Sequence, residues 1–193
     1  MTYSPIEKMK SWLNEAKENV EGNWNAMCIS TIGKNGSPDS RMVLFKQFNG
    51  NKLVFFTNYQ SKKGEDILAN DKISIVFFWD SLGRQLRLQG IAKKTSREIS
   101  ENYFNSRPEG SRISAILSKQ SREIKSYEDL KNQYDQMKKD YLSKSPECPD
   151  HWGGIEVDIT KIEFWKEHDS RLHEREQFLR KEEGLWNKKF LSP

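Results

Sequence analysis

The sequence predicts a mainly β chain of the α+β class, an antiparallel sheet closed into a barrel with helices at its flanks. Three observations carry this. Nine short runs rich in β-branched and aromatic residues follow one another along the chain, a composition suited to a pleated, half-buried surface. Asn49-Gly50 lies between two of them and Gly33-Lys34-Asn35-Gly36 between two others, which is turn chemistry that joins neighbouring strands as hairpins. Helical patterning is inserted among these runs at the start of the chain and in one middle stretch, so the strands build the core.

In chain order, Ser4, Pro5 and Glu7 give an N-cap, a proline at the first helical position and a capping-box acid. Ile6, Met9, Trp12, Leu13, Ala16 and Val20 follow at helical spacing, so an amphipathic helix is expected within 1–21. Strands are expected at 26–32, 40–47, 52–57, 72–79 and 84–94. Ser61-Lys62-Lys63-Gly64 stands directly before a short helix. Thr95-Ser96-Arg97-Glu98 resembles a second capping box and opens a helix to about residue 106, which Pro108 ends. Ser126 caps a long charged helix at 127–142. Pro146, Pro149, Gly153 and Gly154 mark a loop, after which strands return at 155–159, 162–165, 172–179 and 185–191. No repeat or low-complexity linker interrupts the chain. One domain over 1–193 is expected, with the N-terminal helix in 1–21, core strands in 26–94, a helical segment in 95–143 and C-terminal strands in 154–193.

Composition narrows the function. The net charge of +4 arises from 32 basic and 28 acidic residues interspersed along the chain, so no basic arm or stripe marks a nucleic-acid partner. No run reaches the length of a membrane span and the first ten residues lack an apolar signal region. Cys28 and Cys148 give no disulfide framework. A cytoplasmic protein is expected. Only 35% of the residues are hydrophobic, which limits the core of a monomer and points to further burial in a subunit interface.

Several clusters could carry chemistry. In an extended strand Arg171, His173 and Arg175 would share one face at ~6.8 Å intervals, either as a solvated edge or as two guanidinium forks around an imidazole that receive a planar anion. Arg41 and Lys46 bracket four apolar residues and would face opposite ways unless the strand bulges. The hydroxyl, ammonium groups and free N–H groups at Ser61-Lys62-Lys63 suit a phosphate, or form a plain solvated cap. Tyr103 and Arg107 share a helix face and Ser111 follows, which could clasp a phosphate or be an ordinary surface pair. Cys148, His151, His168 and His173 have the wrong spacing for a zinc site, so no metal is expected. With no glycine-rich dinucleotide or Walker loop, a phosphate ligand must be held mainly by side chains.

Taken in order, R-M-V-L-F-K at 41–46, F-F-T-N-Y-x-S-K-K at 55–63, R-Q at 84–85, Y-F-x-S-R-P at 103–108, S-K-Q-S at 118–121, W-G-G at 152–154, E-F-W at 163–165 and R-L-H-E-R at 171–175 resemble the pyridoxine/pyridoxamine 5′-phosphate oxidase family. The resemblance implies an FMN-binding split β-barrel that works as a homodimer, with FMN at the interface between subunits. It implies oxidation of pyridoxamine or pyridoxine 5′-phosphate to pyridoxal 5′-phosphate, with O2 reduced to hydrogen peroxide. It implies flavin contacts at Arg41, Met42, Val43, Leu44, Phe45, Lys46, Phe56, Thr57, Lys62, Lys63, Gln85, Gln120, Ser121, Trp165 and Arg175. Substrate contacts are implied at Lys46, Tyr103, Arg107, Ser111, Arg171, Leu172 and His173, with Arg171 and His173 catalytic and His173 able to accept a proton. Lys62 stands where the family commonly has arginine, exchanging a fork for a point charge and implying weaker FMN binding. Relatives of the fold include phenazine-pathway oxidases and non-catalytic flavin or haem carriers, the alternative functions.

Overall fold

The computed structural model describes residues 4–141, 145–182 and 184–193. Helix α1 (Pro5–Asn19) buries Ile6, Met9, Leu13 and Ala16 on one face. Ser4 occupies its N-cap without a side-chain hydrogen bond, so the proline and the apolar stripe define this start, not the expected capping box. Strands β1 (Ala26–Ile32), β2 (Pro38–Leu44), β3 (Gln47–Asn49) and β4 (Lys52–Asn58) follow, then helix α2 (Lys62–Ala69), β5 (Lys72–Trp79) and β6 (Arg84–Lys94). Next come helices α3 (Arg97–Ser106), α4 (Glu109–Leu117) and α5 (Tyr127–Asp140), and strands β7 (Trp152–Lys166), β8 (Glu174–Arg180) and β9 (Trp186–Phe190). Leu142, the expected end of the long helix, lies outside the described residues.

All strand pairs are antiparallel in one curled, nine-stranded sheet of order β2-β1-β5-β6-β7-β4-β3, with β8 on β7 and β9 on β8. The expected α+β class and antiparallel sheet are present, the sheet being curled into a half-barrel and not closed all round. Strand β7 splits it. Its first half pairs with β4, from Trp152 to Val157, and its second half pairs with β8, from Lys161 to Lys166. Strand β6 accompanies β7 from Ile155 to Lys166, with one register shift between Gln89 and Gly90. A Cβ on Gly90 would come within 2.5 Å of the Asp158 carbonyl oxygen, so only glycine permits that close approach. Phe55, Phe77, Phe164, Leu53, Leu86 and Ile75 fill the interior, each worth about 2 kcal/mol of burial.

Four expectations need correction. Residues 40–47 do not form one strand: the chain turns at Phe45, which leaves the sheet to pack against Trp24, Phe48 and Phe77. Gly153 and Gly154 are strand residues, not part of a loop, and 155–165 continues them as one strand. A Cβ on Gly153 would lie 2.2 Å from Tyr59 Oη and 2.6 Å from Ser100 Oγ; glycine here admits neighbours instead of making a turn. Strand β8 begins at Glu174, because Asp169–Arg171 forms a 3-10 turn with Ser170 and Arg171 at φ 55° and 61°. The proposed Arg171, His173, Arg175 stripe is therefore not a continuous strand face. Helix α3 is capped by Ser96, which accepts from the Ile99 amide, and not by a box built on Thr95. Helix α4 falls within the helical segment expected at 95–143, where it had been given no bounds of its own.

Among the described residues no helix is long and apolar enough to cross a membrane. Three carboxyls are held below their ordinary range. Burial opposes the charge of Asp66, but hydrogen bonds from Lys62 and Thr31 and the nearby Arg41 outweigh it. At Asp158 the Arg180 fork dominates, at 2.6 and 2.8 Å. At Glu176 burial is outweighed by Lys188 and Lys8. Because the folded values are depressed, the stability they contribute is present above the unfolded range of about pH 4 and is lost as pH falls through the folded values. Thermal midpoints should drop as pH falls from about 5 to 3, and Asp158→Asn should flatten that decline; an unchanged slope would contradict the linkage.

Candidate active site

A cleft of about 560 Å³ opens between β2, β4 and the α3–α4 pair, reaching Trp152 at the start of β7. Its lining includes Lys46, Lys63, Tyr103, Arg107, Ser111 and Gln120, and contains no aspartate or glutamate. The chain turn at Phe45 brings Lys46 to this cleft. Ser61 caps α2, accepting from the Gly64 amide, so that Lys63 points inward from the first turn and is 8% exposed. Its Nζ donates to Gln120 Oε1 at 3.0 Å. Burial, reinforced by the Arg41 charge, pushes the Lys63 ammonium pKa down. Thr57 also donates to Gln120 Oε1, at 3.3 Å, leaving the Gln120 amide nitrogen for a ligand.

Aromatic plates form one wall. Phe56 stacks on Tyr103 at 3.9 Å and 16°, and Tyr103 is nearly parallel to Trp152. Arg107, the residue that ends α3, lies over Trp152 at 4.7 Å. Its Nη1 is buried with no hydrogen-bond partner, and burial lowers the guanidinium pKa. A buried cationic donor without a partner is costly unless an anion completes it. Size alone does not mark such a site: a larger cleft of about 980 Å³ runs between α1 and the β8–β9 hairpin, but there Lys8 and Lys188 are already clamped on Glu176.

The other candidate residues are divided between this cleft and its surroundings. Met42, Val43 and Leu44 line the same cleft, whereas the Phe45 side chain is in the core and its amide is bonded to Asn25. Arg41 donates to Thr31 Oγ1 at 2.7 Å and to Asp39 at 2.5 Å, outside the cleft lining. Lys62 pairs with Asp66. Ser121 is exposed at φ 69° just beyond Gln120.

A second cluster sits at the far end of β7. Gln85 and Arg175 flank Trp165 on neighbouring strands, and the His173 ring packs on Trp165 at 4.6 Å. Arg175 donates through Nε and Nη2 to the buried Glu163, at 2.9 and 2.8 Å. His173 Nδ1 accepts the His168 amide at 3.3 Å, so the neutral ring carries its proton on Nε2. Arg171 and Leu172 are exposed beside it. From Trp152 to Trp165 is 13 residue steps (165 minus 152), roughly 40 Å of extended strand. Arg107 and His173 therefore belong to separate clusters, and the cleft that holds Arg107 is not lined by His173. Trp152, Asp66 and Glu163 were not singled out as ligand-positioning residues; only the W-G-G and E-F-W motifs and the i, i+4 spacing of Lys62 and Asp66 hinted at them.

The chain matches the sequence family described as "Pyridoxamine 5'-phosphate oxidase" over residues 13–141. It matches the "Pyridoxine 5'-phosphate oxidase C-terminal dimerisation region" over residues 152–193. It is 41% identical over 190 residues to the pyridoxine/pyridoxamine 5′-phosphate oxidase of Pelagibacter ubique, covering 98% of this chain and 91% of that protein. It is 40% identical over 191 residues to the protein of that name from Leptospira biflexa, covering 99% and 90%. Its fold resembles PhzG from Burkholderia lata 383, solved with tetrahydrophenazine-1-carboxylic acid, at a TM-score of 0.91 and 22% identity over 98% of this chain and 93% of that one.

Proposed function

Because the chain belongs to the pyridoxine/pyridoxamine 5′-phosphate oxidase family, we propose that it is an FMN-dependent oxidase converting pyridoxamine or pyridoxine 5′-phosphate to pyridoxal 5′-phosphate. The amine loses two electrons, water replaces its nitrogen as ammonia, and O2 takes the electrons to become hydrogen peroxide. The observation that carries this reading is the cleft in which Lys46, Lys63 and Arg107 meet with no carboxylate beside aromatic plates. That donor set fits planar rings bearing phosphates.

Bound, the flavin supplies the two-electron carrier between the substrate carbon and dioxygen. Arg41 and Lys63 hold its phosphate, with Gln120, Ser121 and the Met42 to Leu44 segment along it. Lys46, Tyr103, Arg107 and Ser111 hold the substrate phosphate and so orient the reacting carbon. The second cluster belongs to the opposite site of a homodimer: the partner subunit's Arg171 and the partner subunit's His173 cover the substrate ring, and Gln85, Trp165 and Arg175 complete the flavin seat. With Nδ1 occupied, His173 offers Nε2–H and serves as a hydrogen-bond donor, not as a proton acceptor.

Purified protein should show a flavin spectrum that bleaches on anaerobic addition of pyridoxamine 5′-phosphate, and should release peroxide in air. Protein that cannot be loaded with FMN, or that releases no peroxide, would overturn the reading. His173→Gln places an amide near Nε2 and should keep kcat/KM within about tenfold, whereas His173→Asn should fall about a hundredfold. Equal losses would return His173 to a proton-accepting role.

A further inference from the structure

The segment that follows α4 lies against the start of α2 as a strap and is tied down at three points. At its outer end Arg122 donates to the Gln60 carbonyl at 3.3 Å and pairs with Glu65, a solvated attachment of the kind that contributes little. In its middle Gln120 Oε1 accepts from Thr57 and Lys63, and Ser121 beside it holds a left-handed backbone at φ 69°, which strains a residue other than glycine. At its inner end the Ser118 carbonyl accepts from Asn58 Nδ2 at 3.0 Å. Asn58 closes β4, opposite Trp152, and is 5% exposed. Its Oδ1 accepts the Gln60 amide at 2.7 Å and its carbonyl accepts the Ser61 hydroxyl at 2.6 Å, and Ser61 is the N-cap of α2. One buried residue therefore fixes both the turn that delivers Lys63 and the strap that delivers Gln120.

We propose that Asn58 is a positioning residue for the flavin: by holding the Ser118 carbonyl on the turn before α2, it sets Gln120 and Ser121 against Lys63 before the ligand arrives. This rests on the flavin reading above. Asn58 lines the cleft, but its oxygen and one of its two N–H groups are already engaged within the protein, so its effect reaches the ligand through the strap. A segment left free would have to be ordered each time FMN bound, and that cost is subtracted from affinity. Gln120 is exposed and Ser121 is in a conformation it does not favour, so neither keeps its place unaided.

The test is FMN release on dilution of the loaded protein, read by the return of flavin fluorescence, with a thermal melt as a check on folding. Asn58→Ser keeps a hydroxyl for the Gln60 amide but is too short to reach Ser118, and should raise the FMN Kd about tenfold, the worth of one net hydrogen bond. In a Gln120→Ala/Ser121→Ala background, where the strap has little left to present, the same substitution should change Kd by about twofold or less. An equal loss in both backgrounds would mean that Asn58 acts on FMN without the strap and would overturn the inference. So would a folded Asn58→Ser whose Kd matches wild type, whatever its melting midpoint. If Asn58→Ser does not fold, trypsin decides on the wild-type chain: cleavage after Lys119 and Arg122 at similar rates with and without FMN supports a strap set in advance, and cleavage more than about tenfold faster without FMN overturns it. Wild-type protein that takes up no FMN fails the flavin reading and this inference together, whereas failure of the variants alone leaves that reading intact.

Discussion

Arg107→Ala should raise the KM for pyridoxamine 5′-phosphate by a little over a hundredfold while flavin content stays at the wild-type level. The magnitude follows from removing one buried charged partner of the substrate phosphate, roughly 3 kcal/mol, with each 1.4 kcal/mol a factor of ten. The distinguishing readout is stability. Arg107 Nη1 has no hydrogen-bond partner and the side chain forms no ion pair among the described residues, so its loss leaves no protein group unsatisfied. The thermal midpoint should stay or rise, the pattern of a residue kept for function at some expense to the fold. Arg107→Lys restores charge without the planar fork and should recover only part of the affinity. A variant that loses activity and stability together would make Arg107 a structural prop for Trp152 instead.

Mixing two inactive variants should restore activity. Each chain carries Lys63, Tyr103 and Arg107 at one end of β7 and Trp165, His173 and Arg175 at the other. If each catalytic site draws one cluster from each subunit, a hybrid of Arg107→Ala and Arg171→Ala chains holds one site with both substitutions and one with neither. Random pairing makes half of the dimers hybrid, so the mixture should recover about a quarter of wild-type turnover, whereas each variant alone should show on the order of 1%. Exposed Met42, Phe78, Leu172 and Phe190 are apolar surface of the kind such an interface would bury. Hybrids demonstrated by mass but showing no gain would place both clusters in one chain's site and defeat the two-subunit arrangement.

Some of this was legible residue by residue. The limits of β1 and β5, the Ser61 and Ser126 caps and the Asn49-Gly50 hairpin depend on local periodicity and turn chemistry, and the structure reproduces them. Tyr103 and Arg107 line the same cleft, although Arg107 does so from the extended C-cap of α3 and not from a helical turn. Where the reading failed, a distant contact overrode a local preference. Phe45 left its strand for an aromatic cluster in the core. Gly153 and Gly154 looked like a turn because glycine usually marks one, but here their missing side chains make room for Tyr59, Ser100 and Thr95. The left-handed backbone at Ser170 and Arg171 broke a run that alternation alone had extended into a strand.

By itself the chain determined its class, its strand inventory and the kinds of groups available to a phosphate, because these depend on periodicity, turn residues and side-chain chemistry within a few residues of one another. Tertiary structure alone decided which cations remain without carboxylates, that Lys62 pairs with Asp66 while Lys63 enters the cleft, and that Arg107 packs on Trp152 and His173 on Trp165, toward opposite ends of β7. Those outcomes turn on burial and on pairings between residues far apart in sequence, and no local pattern records them.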